Sequence, residues 1–280
     1  MTLADVLVEA RQYIPPAEAR LLLGHLLTRP TAWLEAHREE LLSTEQLAQF
    51  REWVARRAAG EPVAYLLGSR EFYGRDFAVT PAVLIPRPET ELLVEVALRK
   101  VGAGGTAKIL DLGTGSGCIA ITLALESPAQ VTAVDISPAA LAVAKKNAAQ
   151  RAASVDFIES DWYAALPPAQ FDLIVANPPY VAADDRHLAE GDLRFEPLQA
   201  LTDQADGLAA LRCIVADAPR WLADGGWLFF EHGYDQGVAV FDLLCAAGFA
   251  DIEQHCDLAG IVRVSGGRRA NVRAIESACI

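Results

Sequence analysis

The sequence contains no apolar run approaching the roughly 20 residues that a membrane-spanning helix needs. Its start, Met1-Thr2-Leu3-Ala4-Asp5, has no basic stretch ahead of an apolar one. A cytoplasmic protein without a membrane partner is expected. The five cysteines (Cys118, Cys213, Cys245, Cys256 and Cys279) form no C-x-x-C pair and have no histidine at ligand spacing. They suggest neither a disulfide framework nor a zinc site, and read as free thiols in a reducing compartment. Positive charge is also scarce, with 24 Lys and Arg against 37 Asp and Glu and a formal net charge of -13. Binding along a phosphate backbone depends on Lys and Arg to neutralise it, so direct nucleic-acid binding is not expected. Acidity fits a partner with a basic surface, and solubility alone would equally account for it. No internal repeats or low-complexity segments occur.

What the chain does have is length and apolar content. At 280 residues and 52% hydrophobic composition it can build one large domain and one small one. Residues 1–61 read as a helical domain: Leu3, Val6, Leu7 and Ala10 recur at helical spacing, a leucine-rich segment follows Pro15-Pro16, and Ser43 with Gln46 makes a capping box. Substrate binding is the expected role of this domain. Residues 62–85 change to strand-like patterning around Gly74-Arg75 and predict a β-hairpin connector. Residues 86–280 alternate strand and helix: strands at 108–111, 131–135, 155–159, 171–176 and 227–231, with helices from 89, 117, 138, 208 and 235. Two closing strands near 251–255 and 260–264, joined by a short loop, suit an antiparallel pair. Such alternation predicts an α/β fold with a doubly wound, mostly parallel sheet. Residues 181–206 form the one long irregular stretch and are expected to act as a substrate-side lid.

The polar tetrapeptide Asn177-Pro178-Pro179-Tyr180 stands directly behind the apolar run Phe171-Asp172-Leu173-Ile174-Val175-Ala176. It therefore lies at a strand's carboxyl end, the edge at which open α/β sheets bind ligands. Taken alone, it would be an ordinary strand-ending turn. A second element changes that reading. Asp111-Leu112-Gly113-Thr114-Gly115-Ser116-Gly117 follows the first strand of the sheet and opens a helix, so its glycines let the backbone approach a ligand closely. Asp135 ends the next strand, where a carboxylate can accept hydrogen bonds from ribose hydroxyls. Together they indicate an adenosine-containing cofactor. No P-loop lysine or Mg²⁺ signature accompanies the turn, which removes the usual parts of phosphoryl transfer. S-adenosyl-L-methionine needs none of them, and its adenine could lie against Trp162 beside Asp161. A core aromatic is an equal reading of Trp162.

These residues resemble class I S-adenosylmethionine-dependent methyltransferases that modify a planar nitrogen. With Ile85-Pro86-Arg87-Pro88-Glu89-Thr90-Glu91, Gly68-Ser69-Arg70-Glu71-Phe72-Tyr73-Gly74, Phe195-Glu196-Pro197 and the helical N-terminal domain, the resemblance narrows to the peptide chain release factor glutamine methyltransferases along essentially the whole chain. It implies a Rossmann-like fold, S-adenosyl-L-methionine as cofactor and class 1 release factors as protein substrates, methylated on the side-chain amide of a Gly-Gly-Gln glutamine. By the same resemblance Gly113, Thr114, Gly115, Ser116, Gly117, Asp135, Trp162 and Asn177 are expected at the cofactor, and Asn177, Pro178, Pro179 and Tyr180 at the substrate amide. Asn177, Pro178 and Tyr180 then carry the catalytic roles: two oxygens for the amide hydrogens and a ring on the amide plane. A monomer is the default, and no metal is expected. A glutamine methyltransferase acting on a ribosomal protein, a DNA or RNA exocyclic-amine methyltransferase, and a catalytically silent cofactor-binding scaffold are the alternatives. Glu231-His232-Gly233 also reaches the ligand edge, with local hydrogen bonding as its expected role, and Arg87, Glu89 and Thr90 are given none.

Overall fold

A computed structural model describes residues 1–102 and 106–270. Five helices come first: α1 (Leu3–Ala10), α2 (Pro16–Leu27), α3 (Thr31–Ala36), α4 (Thr44–Ala58) and α5 (Val63–Leu67). Capping boxes open α1 at Thr2 with Asp5 and α4 at Ser43 with Gln46, because an uncapped first turn leaves backbone N–H groups without acceptors. Leu3, Val6, Leu22, Leu23, Leu34 and Phe50 close their apolar faces over one small core. Within the 62–85 segment, Val63–Leu67 is helical rather than extended, started by Pro62 and stopped at Gly68 with φ 69°.

The hairpin follows as β1 (Ser69–Phe72) and β2 (Arg75–Ala78). Its turn falls one residue earlier than Gly74-Arg75. Tyr73 and Gly74 are the central pair, with φ 52° and 72°, the left-handed geometry whose twist matches two antiparallel strands. Tyr73 is held there because its N–H donates to Glu91 Oε1 at 2.9 Å. Phe72 and Phe77 meet edge to face, 6.1 Å apart, in the core beneath the sheet.

The remaining elements are α6 (Glu91–Val101), β3 (Lys108–Leu112), α7 (Cys118–Glu126), β4 (Gln130–Asp135), α8 (Pro138–Arg151), β5 (Val155–Glu159), β6 (Phe171–Ala176), α9 (Leu198–Leu201), α10 (Ala209–Trp221), β7 (Leu222–Glu231), α11 (Gly237–Ala246), β8 (Phe249–Cys256) and β9 (Val262–Arg269). The seven strands order as β5-β4-β3-β6-β7-β9-β8, parallel except that β9 runs antiparallel to both neighbours. This is the class I methyltransferase architecture, and the antiparallel closing pair is present. Both β7 and β9 are longer than the sequence pattern suggested. β7 starts at Leu222, with Gly225 and Gly226 inside it and an irregular register near Phe171 that hides its alternation.

Side-chain alternation distributes the central strands between two cores. Ile109, Leu173 and Val175 face one, while Leu110, Leu112, Ile174 and Ala176 face the other. Asn147 of α8 ties hairpin to sheet: it accepts from Ala78 N at 2.8 Å and donates to Ala78 O at 3.0 Å and Ser116 O at 2.8 Å. The 181–206 stretch is more ordered than expected. It holds tight helical turns at Arg186–Ala189 and Gly191–Phe195 before α9, and its ends meet where Val181 bridges Thr202.

Phe77 is fully buried where the hairpin meets the sheet. Phe77→Ala is expected to cost about 3–5 kcal/mol. Differential scanning calorimetry should show the thermal midpoint falling by on the order of 10 °C.

Candidate active site

Strand register assembles the site. Leu112 of β3 pairs with Val134 of β4 and with Ala176 of β6, and Ala176 pairs with Phe230 of β7. One residue further along, Gly113, Asp135, Asn177 and Glu231 therefore leave the sheet side by side. The strand order reverses at β3, so this row borders the crevice in which doubly wound sheets hold ligands. A cavity of about 430 Å³ opens there, lined by Gly113, Thr114, Gly115, Ser116, Asp135, Trp162, Asn177 and Pro179 among others.

The glycine turn is shaped from within. Gly113, Gly115 and Gly117 take φ of 71°, 55° and 81°, which a side chain would oppose. Gly117 borders α7 rather than the cavity, and a Cβ on it would lie 2.9 Å from Ile121 and 3.1 Å from Ala144. It is what lets α7 approach α8. A Cβ on Gly113 would lie 3.5 Å from the Trp162 ring, so the turn and the indole form one continuous surface. Trp162 also packs against a core cluster while lining the cavity. Asp135 Oδ2 accepts from Gly115 N at 2.8 Å and Oδ1 from Ser137 N at 2.9 Å. Burial raises its pKa while these two backbone bonds lower it. Behind the turn, Asp111 is fully buried and accepts from Thr114 Oγ1 at 2.6 Å. Burial pushes its pKa up to about 7 against that bond.

The tetrapeptide leaves β6 with Asn177 at the cavity and Pro178 buried beside it. Asn177 Nδ2 donates to Thr90 Oγ1 at 3.1 Å, which leaves Oδ1 as the free end of its amide. Tyr180 turns back: its hydroxyl donates to Glu231 Oε1 at 3.0 Å, and neither Pro178 nor Tyr180 lines the cavity. Burial first, then the Glu231 charge, raises the Tyr180 pKa far above the ordinary phenol value. Gln236 holds the chain beyond by donating to Tyr180 O at 3.0 Å and Gly207 O at 3.1 Å. His232 is buried between Gly233 O at 2.9 Å and Ser265 Oγ at 2.8 Å, the local bonding expected of it.

One cavity wall escaped the sequence reading, and a second was expected only as part of a substrate-side lid. The first is the approach to α6, where Val83, Pro86, Arg87 and Thr90 line the space. The second is the Pro197–Cys213 segment, including Gln199, Thr202 and Asp203. Glu196 joins them, accepting from Ile85 N at 2.9 Å and pairing with Arg87 while its own side chain is wholly buried. Phe195-Glu196-Pro197 and Pro86-Arg87-Pro88 were visible as motifs, but nothing in their spacing announces a contact across more than a hundred residues. No His, Cys, Asp and Glu cluster able to hold a metal occurs among the described residues.

Family comparison agrees with this architecture. Residues 3–68 match a model described as the PrmC N-terminal domain, and residues 88–192 match the methyltransferase small domain. The release factor glutamine methyltransferase of Bordetella pertussis is 54% identical over 91% of this chain and 95% of its own length. That of Neisseria gonorrhoeae is 48% identical over 91% and 94%. A solved methyltransferase of Pyrococcus furiosus, 16% identical with a TM-score of 0.56 over 78% of this chain and 98% of its own, shares the fold. By identity and by coverage of both chains, this protein belongs to the release factor glutamine methyltransferase family.

Proposed function

We propose that the chain transfers a methyl group from S-adenosyl-L-methionine to the side-chain amide nitrogen of the glutamine in the Gly-Gly-Gln segment of class 1 peptide chain release factors. One observation carries this reading: a glycine turn, a ribose-facing carboxylate and an asparagine whose amide oxygen is free all border one cavity.

The cavity fits the cofactor. Gly113 brings the backbone close without a Cβ, Asp135 offers lone pairs beyond its two backbone bonds, and the Trp162 face suits an adenine. Gly113 to Ser116 would hold the cofactor along the turn, and Gly117 would support them by seating α7. When bound, the cofactor supplies a sulfonium methyl that is electrophilic without any metal. The protein's task is then geometric, because an amide nitrogen whose lone pair is delocalised into its carbonyl is a weak nucleophile. Asn177 Oδ1 and the Pro178 carbonyl accept the two amide hydrogens and aim the nitrogen at the methyl. Pro179 keeps the loop stiff. Tyr180 lies outside the cavity and, through its bond to Glu231, anchors the far end of the loop rather than stacking on the amide. Positioning of this kind can supply roughly 7–11 kcal/mol. The nitrogen's proton departs to water after transfer, so no histidine or cysteine is needed as base or nucleophile.

Residues 1–61 act as the release-factor-binding domain, 62–85 as the connector and 86–280 as the catalytic domain. The acidic charge supports a protein partner over direct nucleic-acid binding. The enzyme works as a monomer in the cytoplasm, where its substrates terminate translation, and no helix among the described residues is long and apolar enough to cross a membrane.

With labelled S-adenosylmethionine, purified release factor should take up label at its Gly-Gly-Gln glutamine, and a factor with that glutamine replaced should take up none. Label on both factors, or on neither while cofactor binding is intact, would overturn the substrate assignment. Asn177→Ala should lower kcat by about 10²–10³, the cost of losing one preorganised polar contact in a transition state, with the cofactor Kd changed far less. Asp135→Ala should raise the cofactor Kd by about 10–100-fold in calorimetric titration, from the loss of hydrogen bonds to a charged acceptor.

A further inference from the structure

Glu231 is the last residue of β7, 2% exposed, with its carboxyl at the back of the Asn177 loop. Oε1 accepts the Tyr180 hydroxyl at 3.0 Å, while Oε2 is buried without a hydrogen-bond partner among the described residues. A carboxylate oxygen in that position needs a donor. Thr90, also 2% exposed, stands beside it. Burial raises the Glu231 pKa, while the Thr90 and Tyr180 hydroxyls lower it.

The polarity of this chain of groups follows from counting protons. A carboxylate can only accept. If the single proton of the Thr90 hydroxyl is directed to the unpartnered Glu231 Oε2, its oxygen is left to accept from the next group. That group is Asn177, which meets Thr90 through Nδ2 at 3.1 Å. An asparagine held by its NH₂ turns its oxygen the other way, toward the cavity. We propose that Glu231 is a positioning residue: acting through Thr90, it fixes which end of the Asn177 amide faces the substrate, and through Tyr180 it anchors the other end of the same tetrapeptide. The inference rests on the reading of Asn177 Oδ1 as acceptor for the amide to be methylated.

The chemistry explains why an acid stands here. Glutamine would have almost the same shape, but its NH₂ could donate to Thr90. The hydroxyl would then donate to Asn177, and Asn177 would present NH₂ to a substrate group that is itself NH₂. Two donors would face each other across the transfer distance.

The test is a double-mutant cycle on the full chain, measuring kcat, the release factor KM and the cofactor Kd. Glu231→Gln should lower kcat by about 10–100-fold with KM and Kd changed by less than about threefold. Thr90→Val should do the same, Thr90→Ser should recover most of the lost kcat, and the Glu231→Gln, Thr90→Val pair should be no slower than the worse single variant. Near-normal kcat in Glu231→Gln, multiplying losses in the pair, or a Thr90→Ser enzyme as slow as Thr90→Val would each overturn the relay and leave Glu231 a structural residue. The Thr90 pair of variants decides the matter even if Glu231→Gln does not fold. Asn177→Ala separates the two readings: full turnover in that variant removes the acceptor role itself, whereas a slow Asn177→Ala enzyme beside a multiplicative cycle removes only the relay.

Discussion

The site depends on the register of four parallel strands. Leu112, Val134, Ala176 and Phe230 lie in one row across the sheet, so the next residue of each strand stands at its carboxyl edge. Because side chains alternate between faces, slipping one strand by a single residue would send its core set to the opposite face and move its ligand-edge residue off the row. The two apolar cores forbid that. Leu173 and Val175 fill one and Ile174 and Ala176 the other, so β6 has no alternative register that keeps both packed. Hydrophobic packing at no more than 1% exposure thus fixes where Asn177 stands, although Asn177 contributes nothing to that packing.

The edge is organised by acids rather than bases. Asp135 binds two backbone N–H groups, Asp203 binds those of Ala205, Gly207 and Ala209, Glu196 binds Ile85 N and Arg87, and Glu231 takes the Tyr180 hydroxyl. Each sits at a point where a regular element has ended and its backbone groups need partners. A buried carboxylate without such partners would be strongly destabilising, so the loops and the acids hold each other in place. This gives part of the net negative charge a structural use distinct from solubility.

The sequence disclosed what is periodic or chemically local. Alternation of apolar runs placed the strands of the sheet and the longer helices, though not the short helices α3, α5 and α9. The turn Gly113 to Gly117, Asp135 and the tetrapeptide at Asn177 were readable because each lies within a few residues of a strand end. Contacts between distant segments were not readable. Thr90 looks like a helix-opening residue, and Glu231 like any strand-ending acid, until the fold brings them to Asn177 and Tyr180. The 181–206 stretch read as irregular for a related reason: its order comes from Val181 meeting Thr202 and from Glu196 reaching back to Ile85, neither of which has a local signal. Tyr73 at φ 52° was hidden as well, since the bond to Glu91 that steadies it spans eighteen residues.

Those same long-range contacts connect the helical domain to the site. Arg57 of α4 pairs with Glu18 of α2 at 2.7 Å and with Asp192 of the second tight turn at 2.7 Å. Four residues on, Glu196 grips Ile85 and Arg87, and the chain then runs directly into the cavity wall at Pro197, Gln199 and Thr202. Just past α4, Gly60 lies against the Arg194 guanidinium and the Phe195 ring. An exposed ion pair alone would hold such a junction weakly, but Arg57 is partly buried and bonded on both sides, and Glu196 is wholly buried. The N-terminal helices therefore rest on the same packed segment that shapes the cavity.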